Sequence, residues 1–363
     1  MRIANVVGTR PQLIKAAALE PALRGRFDTY LIDTGQHYDD AMAGSFFREL
    51  GLRRPDYDLG IGGGSGSAQT GRMLVALDPI LEDLSPDVVV VCGDTNTTIA
   101  AALVAAKQGI PIAHVEAGLR SFDRRMPEEI NRLVTDHLSR WLFAPTPAAV
   151  ANLRAEGIVD GVVEVGDVLQ DLAARTAREV RDSAILGSVD MALIPGGYLF
   201  ATIHRAENRE PDAMTAWAAL LNQVAGPERP VILALHPGTR AALEAAAIEL
   251  SPDVRVIEPQ GYRTTLGLQL HAAAVLTDSG GVQREAAWLH VPCLILRGTT
   301  EWVEALAESG GTMVMIGLDA SRATAELERL APISTAEADA RARAADLRLE
   351  PAGAVDAIVA ALG

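Results

Sequence analysis

Residues 112–132, IAHVEAGLRSFDRRMPEEINR, read as a strand, a loop and the start of a helix, and this passage decides the fold. The apolar run ends at His114 and Glu116, a loop containing Gly and Arg follows, and Pro127 suits a first helical turn that also holds Glu128 and Glu129. A short apolar strand leading into such a helix is the building unit of a parallel α/β sheet. In open α/β sheets ligands bind beyond the carboxyl ends of the strands, so charges just past a buried strand point to chemistry rather than packing. Glu116 and Glu128 are therefore candidates for proton transfer on a ligand held elsewhere.

Outward from this unit, apolar runs alternate with longer Ala-rich amphipathic stretches. In the first half, strands are expected over residues 3–7, 29–33, 88–92, 111–115, 141–144 and 162–165, with helices from Pro11, Asp39, Asn96 and Pro127. In the second half, strands are expected over 199–203, 230–235, 254–257, 274–277 and 293–296. That alternation builds right-handed βαβ units and parallel sheets. A chain of 363 residues, 49% hydrophobic, exceeds the usual size of one core. The expected division is a first domain over 1–168, a second over 169–345, and a closing segment, 346–363, whose helix packs back on the first domain. Residues 60–67, GIGGGSGS, lack a leading strand and a Lys and read as a mobile loop.

The net charge of −15 argues against nucleic acid as a partner, because phosphate-backbone binding needs a broad basic face. A small anionic ligand remains compatible with a locally basic pocket. Cys92 and Cys293, the only cysteines, lie in apolar strand-like runs and read as buried thiols, not as a disulfide framework. The chain shows no signal-peptide pattern and no apolar run of membrane-spanning length, and it reads as soluble and cytoplasmic.

Several further stretches stand at strand ends. GTRPQLIK, residues 8–15, sets Arg10 and Lys15 near a helix start, as an anion site or as an ordinary cap with two solvated charges; it is not a Walker loop. GDTNTT, residues 93–98, makes Asp94 either a helix cap or a carboxylate facing the ligand. His114 and Glu116 share the spacing of a zinc-deaminase pair, but no Pro-Cys-x-x-Cys partner exists and no metal site is read. Glu128 and Arg132, four apart, also fit a plain surface ion pair. ATIHRAENRE, residues 201–210, places His204 and Arg205 where they would stabilise a diphosphate, although a single His is more often structural. LHPGTR puts His236 at another strand tip, or simply in a turn. In TDSGGVQREA, residues 277–286, Ser279, Gly280 and Gly281 offer backbone amides to an anion, with Glu285 one turn on for ribose hydroxyls.

In this order, GTRPQLIK, GDTNTT, HVEAGLRSFDRRMPEEINR, TIHRAENR, HPGT and DSGGVQREA resemble the motifs of the non-hydrolysing UDP-N-acetylglucosamine 2-epimerases over nearly the whole chain. Each motif is weak alone; six in order are specific. The resemblance implies an α/β GT-B fold, with two Rossmann-like domains whose parallel sheets face each other across a deep cleft. It also implies no metal or redox cofactor, a homodimer, and interconversion of UDP-GlcNAc and UDP-ManNAc through a 2-acetamidoglucal. Residue by residue, it implies acid/base roles for Asp94, Glu116 and Glu128, and a diphosphate held by Arg10, Lys15, His204 and the Ser279, Gly280 and Gly281 amides. Arg205 and His236 join the substrate-binding groups, and Glu285 the ribose. Gln36 and His37 resemble part of a site where substrate acts as activator.

Two departures stand out. The commoner family pattern Gln-Glu-Glu-Ala becomes Gln283, Arg284, Glu285, Ala286, and Thr-Glu-Arg-Pro-Glu becomes Thr300, Glu301, Trp302, Val303, Glu304. The RSFDRRMPEE form and Trp302 resemble the branch acting on UDP-diacetamido-uronic acids as well as some ordinary epimerases. The rivals are a GT-B glycosyltransferase, a hydrolysing epimerase that releases ManNAc and UDP, and a nucleotide-sugar binding protein without turnover.

Overall fold

A computed structural model describes all residues except 36–49, 191, 236, 301, 331–333, 335, 339 and 343–351. Four consecutive Val residues and a Cys, buried on both faces, make Val88–Cys92 an interior parallel strand. The chain divides into two compact units, residues 1–172 with 351–363, and residues 173–350.

In the first unit the elements run β1 (Arg2–Val7), α1 (Arg10–Arg26), β2 (Asp28–Asp33), β3 (Tyr57–Asp58), α2 (Gly66–Leu84), β4 (Val88–Cys92), α3 (Asn96–Lys107) and β5 (Ile112–Val115). They continue with α4 (Pro127–Leu138), β6 (Trp141–Ala144), α5 (Pro147–Ala155), β7 (Val162–Glu164) and α6 (Val168–Val180), within which the division falls. The sheet order is β3-β2-β1-β4-β5-β6-β7 and every pairing is parallel. On one face Ala4, Val6, Val89 and Val91 pack against Met73 and Leu77 of α2 and Ala101 and Val104 of α3; elsewhere Val7 and Leu31 meet Leu13, Ala16 and Ala17 of α1.

The second unit holds β8 (Leu199–Ile203), α7 (Pro211–Val224), β9 (Val231–Leu235), α8 (Pro237–Ala245), β10 (Val254–Ile257), α9 (Tyr262–His271), β11 (Ala274–Thr277), α10 (Gly280–Trp288), β12 (Cys293–Ile295), α11 (Val303–Glu308), β13 (Met313–Met315) and α12 (Ala320–Arg329). Its sheet is again wholly parallel, in the order β10-β9-β8-β11-β12-β13. Both units are Rossmann-like, the α/β class of the GT-B fold.

The last helix, α13 (Ala354–Leu362), belongs to the first unit and lies against α1. Its free N-terminal amides are met by Asp171 of α6, whose carboxylate accepts from Gly353 N at 3.0 Å and Val355 N at 2.9 Å. Asp171→Ala should therefore cost about 1–2 kcal/mol of stability, as a lost cap does. Urea unfolding measures this, and an unchanged midpoint would contradict it.

Sequence reasoning missed β3 and β13, edge strands of 2 and 3 residues, too short for any periodicity to register. The reading of residues 60–67 needs correction, because β3 does lead into this stretch. Its last two residues are already helical, since α2 starts at Gly66 after the Ser65 cap. Arg72 also fastens the turn, donating to Gly62 O at 3.0 Å and Gly63 O at 2.6 Å. The helix expected from Asp39, and Gln36 and His37, lie outside the described residues.

Candidate active site

Strand order reverses between β1 and β4 in one sheet and between β8 and β11 in the other. Connections leave in opposite directions at such points and open a crevice beyond the strand ends, which is where open α/β sheets bind ligands. Gly8–Arg10, Gly93 and Asp94 follow one reversal; His204 and Asp278–Gly281 follow the other.

In the first unit Glu116 follows β5 and is only 7% exposed. Its φ of +69° lies in the left-handed region, which costs a non-glycine residue roughly 1–3 kcal/mol and persists only where neighbours hold it. They do: Gly93 N donates to Val115 O, Ala117 N donates to Phe143 O, and the Glu116 carboxylate is in direct ion-pair contact with Lys15. Lys15, read from sequence as a diphosphate ligand, is 7% exposed and engages this carboxylate. A Cβ at Gly93 would stand 3.2 Å from Lys15 Nζ and 3.3 Å from Glu116 Oε2, so glycine there leaves room for the pair.

Asp94 pairs with Arg132 at 2.5 Å, while its main-chain carbonyl accepts from Asn131 Nδ2 at 2.8 Å. Arg132 also reaches Glu129 at 2.8 Å, so the ion pair proposed between Glu128 and Arg132 is replaced by Arg132 with Asp94 and Glu129. Glu129 is a positioning group: it accepts from Ser121 N and Oγ and from Phe122 N, fixing the loop ahead of α4. Burial raises its pKa, but these hydrogen bonds and Arg132 outweigh burial and lower it overall. Glu128 stands exposed in the first turn of α4 and makes no hydrogen bond or ion pair among the described residues.

Beneath Glu116, the fully buried His114 ring meets Asp136 at 2.6 Å through Nδ1 and Gly93 O at 2.8 Å through Nε2. Asp136 also accepts from Arg120 at 2.7 Å and from Gly118 N at 3.1 Å. His114 is thus a strut between the Asp94 turn and α4. Among the described residues, no group of three or more His, Cys, Asp or Glu is placed to hold a metal ion.

In the second unit His204 is exposed, and its Nδ1 lies 2.9 Å from the wholly buried Asp278. Asp278 also accepts from His204 N, from Arg205 N at 3.0 Å and from Asn208 Nδ2 at 2.8 Å. With Nδ1 engaged, Nε2 is the nitrogen left for a ligand. Ser279 caps α10, accepting from Val282 N at 3.4 Å. A Cβ on Gly281 would meet nothing closer than Ser279 Oγ at 3.9 Å, so neither packing nor φ demands glycine there; it leaves the helix start open to an anion. Glu285 is 7% exposed and accepts from Gln269 Nε2 at 2.6 Å. Arg10 sits partly buried in the first turn of α1, and His236 lies outside the described residues.

Sequence reasoning missed Asp278, Asp136 and the structural part played by Glu129. The signal that singled out Asp94, an Asp directly after a fully apolar strand, applies equally to Asp278. Asp136 and Asp278 both titrate below the ordinary 3.8: burial raises each, but His114 and Arg120 in one case, and His204, Asn208 and Arg205 N in the other, outweigh it. A carboxyl with a depressed folded-state pKa contributes stability above its unfolded value and loses it as pH falls through the folded one. The melting temperature should therefore drop as pH falls below about 4, and Asp278→Asn should flatten that drop. A scan of Tm against pH tests this; the same slope in the variant would contradict it.

The family model described as UDP-N-acetylglucosamine 2-epimerase matches residues 21–355. The chain belongs to the UDP-N-acetylglucosamine 2-epimerase family. It is 43% identical over 340 residues to a UDP-N-acetylglucosamine 2-epimerase homolog of Methanococcus maripaludis, covering 92% of this chain and 94% of that one. It is also 43% identical over 323 residues to the UDP-2,3-diacetamido-2,3-dideoxy-D-glucuronate 2-epimerase of Pseudomonas aeruginosa, covering 87% and 88%. The crystal structure of Methanocaldococcus jannaschii UDP-GlcNAc 2-epimerase in complex with UDP-GlcNAc and UDP superposes with a TM-score of 0.82 at 37% identity, over 94% of this chain and 98% of that one. Members of this epimerase family are isomerases, and no described helix of this member is long and apolar enough to cross a membrane.

Proposed function

We propose that the chain interconverts UDP-GlcNAc and UDP-ManNAc, with Glu116 and Glu128 exchanging the C2 hydrogen. The observation that carries this reading is Glu116 itself, a carboxylate just past β5, buried in a strained left-handed conformation and paired with Lys15 of α1, the helix that follows β1 at the reversal. A C2 hydrogen is too weakly acidic for simple removal, so loss of UDP must accompany it. One carboxylate takes the C2 proton as the C1–O bond breaks, and the electron pair of the C–H bond forms the C1=C2 double bond of a 2-acetamidoglucal. UDP departs with the electrons of the broken bond. A proton then returns to C2 from the opposite face while UDP adds back at C1, and two faces call for two groups. Lys15 pairs with the Glu116 carboxylate, and Asp94 with Arg132 orients and balances charge around it.

Negative charge grows on the leaving diphosphate, so cations and amides must meet it. His204 Nε2, Arg10, Arg205 and the Ser279, Gly280 and Gly281 amides take that part, and Glu285 takes the ribose hydroxyls. The relatives described as binding UDP-GlcNAc and UDP support the nucleotide assignment. Equal 43% identity to a diacetamido-glucuronate epimerase supports a second reading, in which the substrate is that related UDP-sugar. A cytoplasmic homodimer goes with either, on family resemblance.

Product analysis after incubation with UDP-GlcNAc, and separately with the diacetamido-uronate, tests the proposal. UDP-ManNAc at equilibrium with substrate is expected. Free ManNAc with UDP would make the protein a hydrolysing epimerase, turnover of the uronate alone would favour the second reading, and no turnover of either would overturn both.

A further inference from the structure

Arg284 stands on α10 between the Ser279–Gly281 start and Glu285, is only 6% exposed, and has no part in the chemistry above. Its guanidinium carbon lies 3.9 Å from the ring centroid of Trp302 and 5.7 Å from that of Trp288, one turn along the same helix. Trp302, 8% exposed, comes from the segment after β12. A planar cation this close to an indole face, out of water, is held by the ring quadrupole and by stacking. A second tie lies beside it: Thr300 Oγ1 donates to Gln283 Oε1 at 2.9 Å and accepts from Trp302 N at 3.2 Å. Thr300 and Trp302 are thus fastened to Gln283 and Arg284, the two residues immediately ahead of Glu285. Arg284 and Trp302, the departures noted with the family resemblance, thus meet in space.

We infer that Arg284 and Trp302 form a latch that sets Thr300 and Trp302 on α10 and fixes Glu285, so that the pair governs affinity for a nucleoside diphosphate without taking part in proton transfer. Both are positioning residues. The inference rests on the reading that α10 holds the nucleotide. It predicts a loss in binding rather than in chemistry, because contacts made equally in ground and transition states change KM and leave kcat alone. It also predicts coupling, because either partner's removal already breaks the stack.

The test is calorimetric titration with UDP alone, alongside steady-state turnover of UDP-GlcNAc, for Arg284→Met, Trp302→Leu, the double variant and Arg284→Lys. Each single change should weaken UDP about tenfold and raise KM to match, with kcat within about twofold. The double should be no worse than either single, and Arg284→Lys, which keeps the cation, should recover part of the loss. UDP affinity unchanged in every variant, or a double loss equal to the product of the singles, would overturn the latch alone. No UDP binding by the unmodified protein would overturn the nucleotide reading of α10 and the latch with it.

Discussion

Glu116→Gln is expected to lower turnover of UDP-GlcNAc about 10³-fold while UDP binds with near-normal affinity. The amide keeps the shape of the side chain but cannot take a proton. UDP affinity is assigned to Arg10 and to groups of the second unit, not to Glu116, and should hardly notice. Stability is a confounding effect, because the substitution takes the carboxylate away from Lys15, which is 7% exposed. Breaking one side of a buried ion pair typically costs about 3–5 kcal/mol, whereas replacing both sides with uncharged groups is often neutral. The double variant Lys15→Met with Glu116→Gln should therefore melt closer to the unmodified protein and remain just as inactive. Recovery of turnover in the double, or near-normal turnover in the single, would show that Glu116 does no proton chemistry.

His204→Asn is expected to lower kcat/KM about 10²–10³-fold and to weaken UDP together with it, the scale of losing one preorganised group at a developing charge. The ring is the exposed end of a fixed assembly, with Nδ1 on Asp278 and Asp278 in turn on Arg205 N and Asn208. Asn at this position cannot present a nitrogen where Nε2 stood. Asp278→Asn keeps the ring but replaces the acceptor that orients it, so its loss should be smaller than that of His204→Asn, with UDP affinity less disturbed. Titration with UDP and initial-rate measurements on both variants test this. Equal rates in all three proteins would remove His204 from the account.

The two-sheet architecture was legible because parallel strands buried on both faces leave unbroken apolar runs such as Val88–Cys92 and Ala274–Thr277. The carboxyl ends of the strands followed from the same runs, since a polar residue directly after a buried strand marks that end, whereas the strand order and its reversal points rest on pairings between distant segments that no local pattern carries. Short edge strands were not legible, having too few residues to carry a pattern. In the site, the residue types were readable but their partners were not. Lys15 and Glu116 lie 101 positions apart, and local sequence rules pointed Lys15 at a phosphate. Helical spacing allowed Arg132 to pair with Glu128 as the alternative to a catalytic Glu128, yet Arg132 crosses to Asp94, 38 positions away. Spacing along a helix reports which side chains share a face, not which of them a neighbouring loop will claim. Asp278 was illegible for the opposite reason: the glycines after it carry the stronger local signal, although its burial behind His204 is what orders the turn after β8.

The central claim is that Glu116 moves the hydrogen at C2, and solvent exchange reports on that atom directly. UDP-GlcNAc alone, incubated with the protein in heavy water and followed by proton NMR, should lose its C2 hydrogen signal as UDP-ManNAc appears, with no acceptor present, and Glu116→Gln should abolish both changes. Intact UDP-GlcNAc binding with the C2 hydrogen fully retained, or undiminished exchange in Glu116→Gln, would contradict the account.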